Sequence, residues 1–180
     1  MSRLFGSIRQ LGYVVRDLDR ALRYWTQTMG VGPFFVQRHV TFEAYRYRGQ
    51  PSSPPVISLA IANSGDLQIE LIAQHDGRPS PYRDFLDAGR EGAQHVSSWL
   101  SPEEYDAVRG TLQGSGAAIA HEGIVPIVGL RFVYCATDTA PGDLMYEIAD
   151  VRQPHIYPAM EMVARAAREW DGNDPIREMG

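Results

Sequence analysis

Lysine is absent from this chain. All 17 basic side chains among its 180 residues are arginine. Without a lysine amine there is no Schiff base, no lysine nucleophile or general base, and no phosphate-loop lysine. A genome whose base composition favours arginine codons is sufficient cause for the bias. The chemical consequence holds either way: the reactive side chains are His, Glu, Asp, Tyr, Arg and one Cys. Cysteine is equally scarce. Cys135 stands alone, so no internal disulfide can form, which fits a reducing cytoplasm. Positive charge is outweighed by 22 acidic residues, giving a formal net charge of -5, and no basic cluster occurs. That balance argues against a nucleic-acid partner. No apolar run approaches the roughly 18 residues needed to cross a bilayer, so no membrane span is expected. Residues 1–8 also lack the apolar stretch of a signal peptide.

What is present is enough apolar material, 44% of residues, for one domain of ordinary size. Ile8 to Val15 reads as a strand. Asp17 caps a helix whose apolar face is Leu18, Ala21, Leu22 and Trp25, and Gly30 and Gly32-Pro33 end it. Phe34 to Arg48 alternates as one or two strands. Gly49 to Pro55 reads as a loop, because its prolines cannot continue a ladder. Strands at Val56–Asn63 and Leu67–Ala73 follow, then a loop at Gln74–Pro81 and a short helix at Tyr82–Ala88. The pattern then restarts. Ala93 to Leu100 reads as a strand, and Ser101-Pro102-Glu103-Glu104 is a capping box. Tyr105, Val108 and Leu112 mark that helix. Strands at Ala117–Ala120, Leu130–Ala136 and Leu144–Ala149 come next, with a hairpin turn at Asp138–Gly142. The order is β-α-β-β-β twice. His95 lies 85 residues after Gln10 (95 − 10) at the same place in the series. From Asp150 a tail follows, in which Pro158–Trp170 reads as an amphipathic helix packed on the body or on a partner subunit. The expected architecture is α+β: residues 1–150 form two βαβββ modules, about 8–74 and 93–150, and 151–180 form a helical tail.

Four polar residues interrupt apolar strands, and they fall in equivalent pairs. Gln10 and His95 lie at the first strand of each half. Glu70, in Leu67-Gln-Ile-Glu-Leu-Ile72, and Glu147, in Leu144-Met-Tyr-Glu-Ile-Ala149, lie in the last. Taken singly, each has an ordinary reading as a solvent-facing or satisfied polar residue. Taken together, two carboxylates, an imidazole and an amide at related places in a repeat make a ligand set for a divalent metal. A pseudo-twofold axis would bring all four to one point.

The stretch Gln10-Leu-Gly-Tyr-Val-Val-Arg-Asp-Leu-Asp-Arg-Ala-Leu-Arg-Tyr-Trp25 resembles the opening strand and helix of the vicinal oxygen chelate superfamily, which includes glyoxalase I and methylmalonyl-CoA epimerase. Gly-Ala-Gln-His95-Val resembles the opening of the second module. Ile69-Glu70-Leu71 and Tyr146-Glu147-Ile148 resemble its two strand-four motifs. The resemblance spans about residues 8–150. It implies a curled mixed sheet around a metal site, with Gln10, Glu70, His95 and Glu147 as ligands of a divalent ion (Zn, Ni, Co, Mn or Fe). It also implies a lyase, isomerase or epimerase that stabilises an enediolate formed by proton loss beside a carbonyl. Glu147, or secondly Glu70, would be the catalytic carboxylate that moves the proton. The implied partners are a small-molecule carbonyl substrate and a second copy of the chain in a homodimer. Two alternatives stand beside this: a metal-free binding protein of the resistance type, and a non-haem iron dioxygenase, which Gln10 in place of His disfavours.

The remaining polar and aromatic residues have plainer readings. Cys135, in an apolar strand, reads as buried and inert. His75-Asp76, His121-Glu122 and His155 read as solvated loop or tail residues. Tyr13, Trp25, Phe34, Phe35 and Trp99 lie near the key elements, with core packing as the default role. Arg38, Arg46 and Arg48 are the cations to consider for a phosphate-rich substrate, and read by default as solvated strand residues.

Overall fold

The computed structural model describes residues 2–135 and 144–179. The turn expected at Asp138–Gly142 lies outside them. Strand β1 (Ile8–Val14) leads to α1 (Leu18–Arg23), where Asp17 Oδ1 accepts the Arg20 N–H at 2.9 Å. The helix runs on as a π-helical turn, Tyr24–Thr28. β2 (Phe34–Val40), β3 (Glu43–Tyr47) and β4 (Gln50–Pro51) follow. The two-residue β4 corrects the loop expected at Gly49–Pro55. Pro51 is tolerated because β4 forms the outer edge of the sheet, where no neighbour needs its missing N–H. β5 (Ile57–Ser64), β6 (Leu67–Gln74) and α2 (Pro81–Asp87) complete the first half.

The second half has β7 (Gly92–Trp99), α3 (Pro102–Gly114), β8 (Ile119–Val125), β9 (Leu130–Cys135) and β10 (Met145–Ala149). The capping box closes as its sequence requires. Ser101 Oγ accepts from Glu104 N–H, and Glu104 Oε2 accepts from Ser101 N–H at 2.8 Å. β8 extends five residues beyond the predicted end, to Val125. His121 and Glu122 are therefore strand residues and not loop residues. His121 is fully buried, and Glu122 takes Arg109 and Arg46 as ion partners.

All described strands join one mixed, curled, unclosed sheet in the order β11-β2-β5-β6-β1-β7-β10-β9-β8-β3-β4. The two halves mirror one another: β2-β5-β6-β1 on one side, β8-β9-β10-β7 on the other, meeting where β1 runs antiparallel to β7. Each first strand lies parallel to its own last strand. One segment breaks the mirror. Near His39 (φ 55°) the β2–β5 register slips, and the chain crosses to add β3 beyond β8. Phe42 on this crossing packs on Phe132, with ring centroids 4.9 Å apart.

The tail forms α4 (Tyr157–Arg168), as its amphipathic pattern predicts, and then β11 (Ile176–Glu178), which the sequence reading missed. β11 pairs parallel to β2 through Ile176–Phe34 and Arg177–Phe35. Between them α4 lies against β5, burying Val163 with Phe35 and Ile61. Of the aromatics singled out, Phe34 is core, Tyr13 and Trp25 pack edge-to-face, and Phe35 lies under the Arg177 guanidinium. No described helix is long and apolar enough to cross a membrane.

Candidate active site

Strand registers carry the four predicted residues toward the middle of the sheet. Gly12 of β1 is opposite His95 of β7 and beside Glu70 of β6. Ser97 of β7 is opposite Gln10 and beside Glu147 of β10. The two sets are the same arrangement in the two halves, as the repeat requires. Alternation puts Gln10 and Gln68, Glu70, Ser97 and Glu147 on one cavity wall. His95 Nε2 stands 3.3 Å from Glu70 Oε2 and 3.9 Å from Glu147 Oε2. Gln10 reaches the same cavity, but its Nε2 donates to Gln68 Oε1 at 2.8 Å, so only its Oε1 could serve as a ligand.

The other imidazole nitrogen of His95 has a partner of its own. Gln94 Nε2 points to Met145 Sδ, so Gln94 Oε1, 2.9 Å from His95 Nδ1, can only accept. The proton therefore sits on Nδ1, and Nε2 faces both carboxylates. This is the tautomer an outer hydrogen bond imposes on a metal-ligating histidine. Tyr134 OH is also 3.2 Å from Nε2, and Tyr82 OH donates to Tyr134 OH at 3.3 Å. Burial, with the nearby carboxylates adding to it, holds both phenols well above their ordinary range, so they are neutral donors. His121 packs on Tyr134 at 4.3 Å between ring centroids. Burial above all, with the neighbouring His95 imidazole adding to it, holds it far below the usual imidazole range.

Glu147 is buried, and its carboxyl is pushed up to about 7. Loss of hydration is the main cause; His95 opposes the shift and Glu70 adds to it. Two carboxylates facing one cavity repel each other, and a cation between them would relieve that repulsion. Among the described residues no three His, Cys, Asp or Glu side chains are drawn together tightly enough to define a metal cluster by distance. The fit rests instead on donor chemistry. An imidazole nitrogen with its outer partner in place, two carboxylates and an amide oxygen suit a borderline divalent ion.

The glyoxalase/bleomycin resistance protein/dioxygenase superfamily model matches residues 9–134. The chain belongs to that superfamily. The match includes Gln10, Glu70 and His95 and stops before the strand that carries Glu147. No curated protein gives a significant match. Solved structures similar to this superfamily member share its fold at low identity. Methylmalonyl-CoA epimerase from Mycobacterium tuberculosis is 19% identical over 83% of this chain and 90% of its own, with a TM-score of 0.54. A hypothetical protein from Bacillus halodurans is 15% identical over 79% and 92%, also at 0.54. The Streptomyces coelicolor epimerase (S115T), in complex with 2-nitronate-propionyl-CoA, is 16% identical over 79% and 92%, at 0.52.

In this member of the superfamily the site opens into a cavity of about 290 Å³. Trp99 lines it, as do Phe42, Tyr82, Phe132 and Tyr134, which sequence reasoning did not single out. Their signal was present but unreadable: Phe132 and Tyr134 alternate with Val133 and Cys135, and only the curl of the sheet says which set faces inward. Tyr82 comes from α2, the connection between the halves. The tail contributes Ile156, Met160, Met162, Val163 and Met179. Cys135 is buried away from this, and burial raises its thiol to about 11, so it is inert. The three arginines considered for phosphate are engaged elsewhere: Arg38 with Asp19 and Glu178, Arg46 with Glu122, and Arg48 with Asp84.

Proposed function

We propose that the protein is a metal-dependent lyase or isomerase, the latter including epimerases, that moves a proton beside the carbonyl of a small molecule. The observation that carries this is His95: Nδ1 held by Gln94, Nε2 turned to two carboxylates, Glu147 buried and Glu70 partly so. Glu70, His95 and Glu147 would hold the ion, with Gln10 Oε1 as fourth ligand. A bound divalent ion supplies Lewis acidity toward two adjacent substrate oxygens. The chain's own groups do the rest. Glu147 would accept and return the proton, with Glu70 as the second candidate. Tyr134 and Tyr82 present neutral hydroxyls to the same space, and the apolar wall excludes water. Assembly as a homodimer and residence in the cytoplasm complete the proposal.

Elemental analysis tests it first. One divalent ion per chain, lost in His95→Ala, supports the reading, and a metal-free protein with undiminished ligand binding overturns it. Solvent-deuterium exchange into a trial 2-hydroxycarbonyl compound should vanish in Glu147→Gln while metal is retained. Persistent exchange would remove Glu147 as the base. The strongly apolar lining of the cavity favours a second reading, metal-free binding of a small ligand, and the metal measurement separates the two.

A further inference from the structure

We infer that the cavity takes an uncharged compound with an apolar ring or branched-chain body, its two adjacent oxygens toward Glu70, His95 and Glu147 and its body against a wall built by the C-terminal segment. This rests on the metal-site reading above and adds the substrate class. Charge is the first argument. Among the described residues, the ionisable groups lining the cavity are Glu70, Glu147, the two phenols and the exposed His155, whose Nε2 lies 3.0 Å from the Val128 carbonyl. No guanidinium is among the lining residues, and the sequence has no lysine. A divalent ion facing two carboxylates leaves that centre without net charge. A phosphate or carboxylate on the substrate body would then be buried with no partner, which weakens its binding.

Size and wall are the second argument. About 290 Å³ lies at the low end of ligand cavities, which run from about 300 to 1,000 Å³. The outer wall is Met160, Met162 and Val163 of α4 with Met179 just after β11, all beyond the residues that match the superfamily model. Three of the chain's six methionines are thus gathered on one wall. Flexible, polarisable thioethers suit an apolar body of irregular shape. Gln68 Nε2 reaches Met160 Sδ at 3.6 Å, linking this wall to the polar floor beside Gln10.

Three hydroxamic acids share one two-oxygen head and differ only in body, so calorimetry on the zinc-loaded full chain reads the body alone. Benzohydroxamic acid should bind about tenfold more tightly than acetohydroxamic acid, and about tenfold more tightly than 4-carboxybenzohydroxamic acid. Met160→Arg, with its fold checked by circular dichroism, should invert the second preference. The wild-type series decides the matter even if that variant does not fold. Equal affinities for all three, with one zinc bound, overturn the inference and leave the metal reading standing. A protein that takes up no zinc but still prefers benzohydroxamic acid overturns the metal reading and upholds the cavity assignment. Failure to bind any of the three overturns the inference whether or not zinc is held.

Discussion

Gly12 and His95 face each other across the β1–β7 pair so closely that a Cβ on Gly12 would stand 1.8 Å from the imidazole Cε1. The missing side chain on one strand is the space for the functional ring on the next. Gly12→Ala should therefore expel the ring from its place between Glu70 and Glu147. We expect a loss of roughly 1–3 kcal/mol of stability from overpacking. Zinc affinity should fall more steeply than the melting temperature predicts. Chelator-competition titration beside a thermal melt checks this; unchanged zinc affinity would show that His95 is not a ligand.

Gln94 acts on the site without facing it. Gln94→Ala removes the acceptor that fixes the Nδ1–H tautomer, and a drop of about 10- to 100-fold in metal affinity is expected, with the fold intact. Gln94→Glu keeps an acceptor at that atom and should restore most of the affinity. The same competition assay measures both.

The pH dependence of the metal-stripped protein follows from Glu147. Its carboxyl is raised to about 7 in the folded chain, whereas the unfolded chain has the ordinary value of about 4.3. The folded state thus binds the extra proton between those values, and its stability contribution is full below the lower one and lost as pH rises through about 7. Melting temperature in excess chelator should fall between about pH 5 and pH 8, and Glu147→Gln should flatten that slope. A slope that survives the substitution would assign the titration to another group.

Arg131 and Asp150 supply a stability prediction remote from catalysis. Asp150 is buried, accepts from Arg131 Nε at 2.6 Å, and accepts from the Arg131 backbone N–H at 2.8 Å. Asp150→Ala removes two acceptors from Arg131, which is one-third exposed and keeps Asp106 at 2.7 Å, and should cost about 1–3 kcal/mol. Denaturant unfolding measures that cost. The metal stoichiometry should not change.

Strand and helix punctuation made most of the fold readable. Asp17 and Ser101 announce their helices by capping chemistry that acts within four residues, and such local signals survive in a sequence. That Gln10, Glu70, His95 and Glu147 fall on adjoining strands was legible because a repeat supplies long-range information twice over. What escaped depends on contacts between distant segments. β3 leaves its own half to pair with β8, and that choice turns His121 from an expected loop residue into a fully buried one. β11 is three residues long, below any periodic signal, and exists only because β2 offers a free edge. Phe42, Tyr82 and Tyr134 became cavity residues through the same curl, which no local pattern encodes.

The tail strand also sets an order of events. Ile176 pairs with Phe34 across 142 residues of chain (176 − 34), among the longest separations in the sheet. The residues that hold the outer wall leave the ribosome after both halves of the sheet have been made. Until that strand and α4 dock, the carboxylates and imidazole lie in an open trough, and docking turns the trough into a chamber. Without the segment from Ile156 to Met179, Glu70 and Glu147 would lose the apolar wall that faces them.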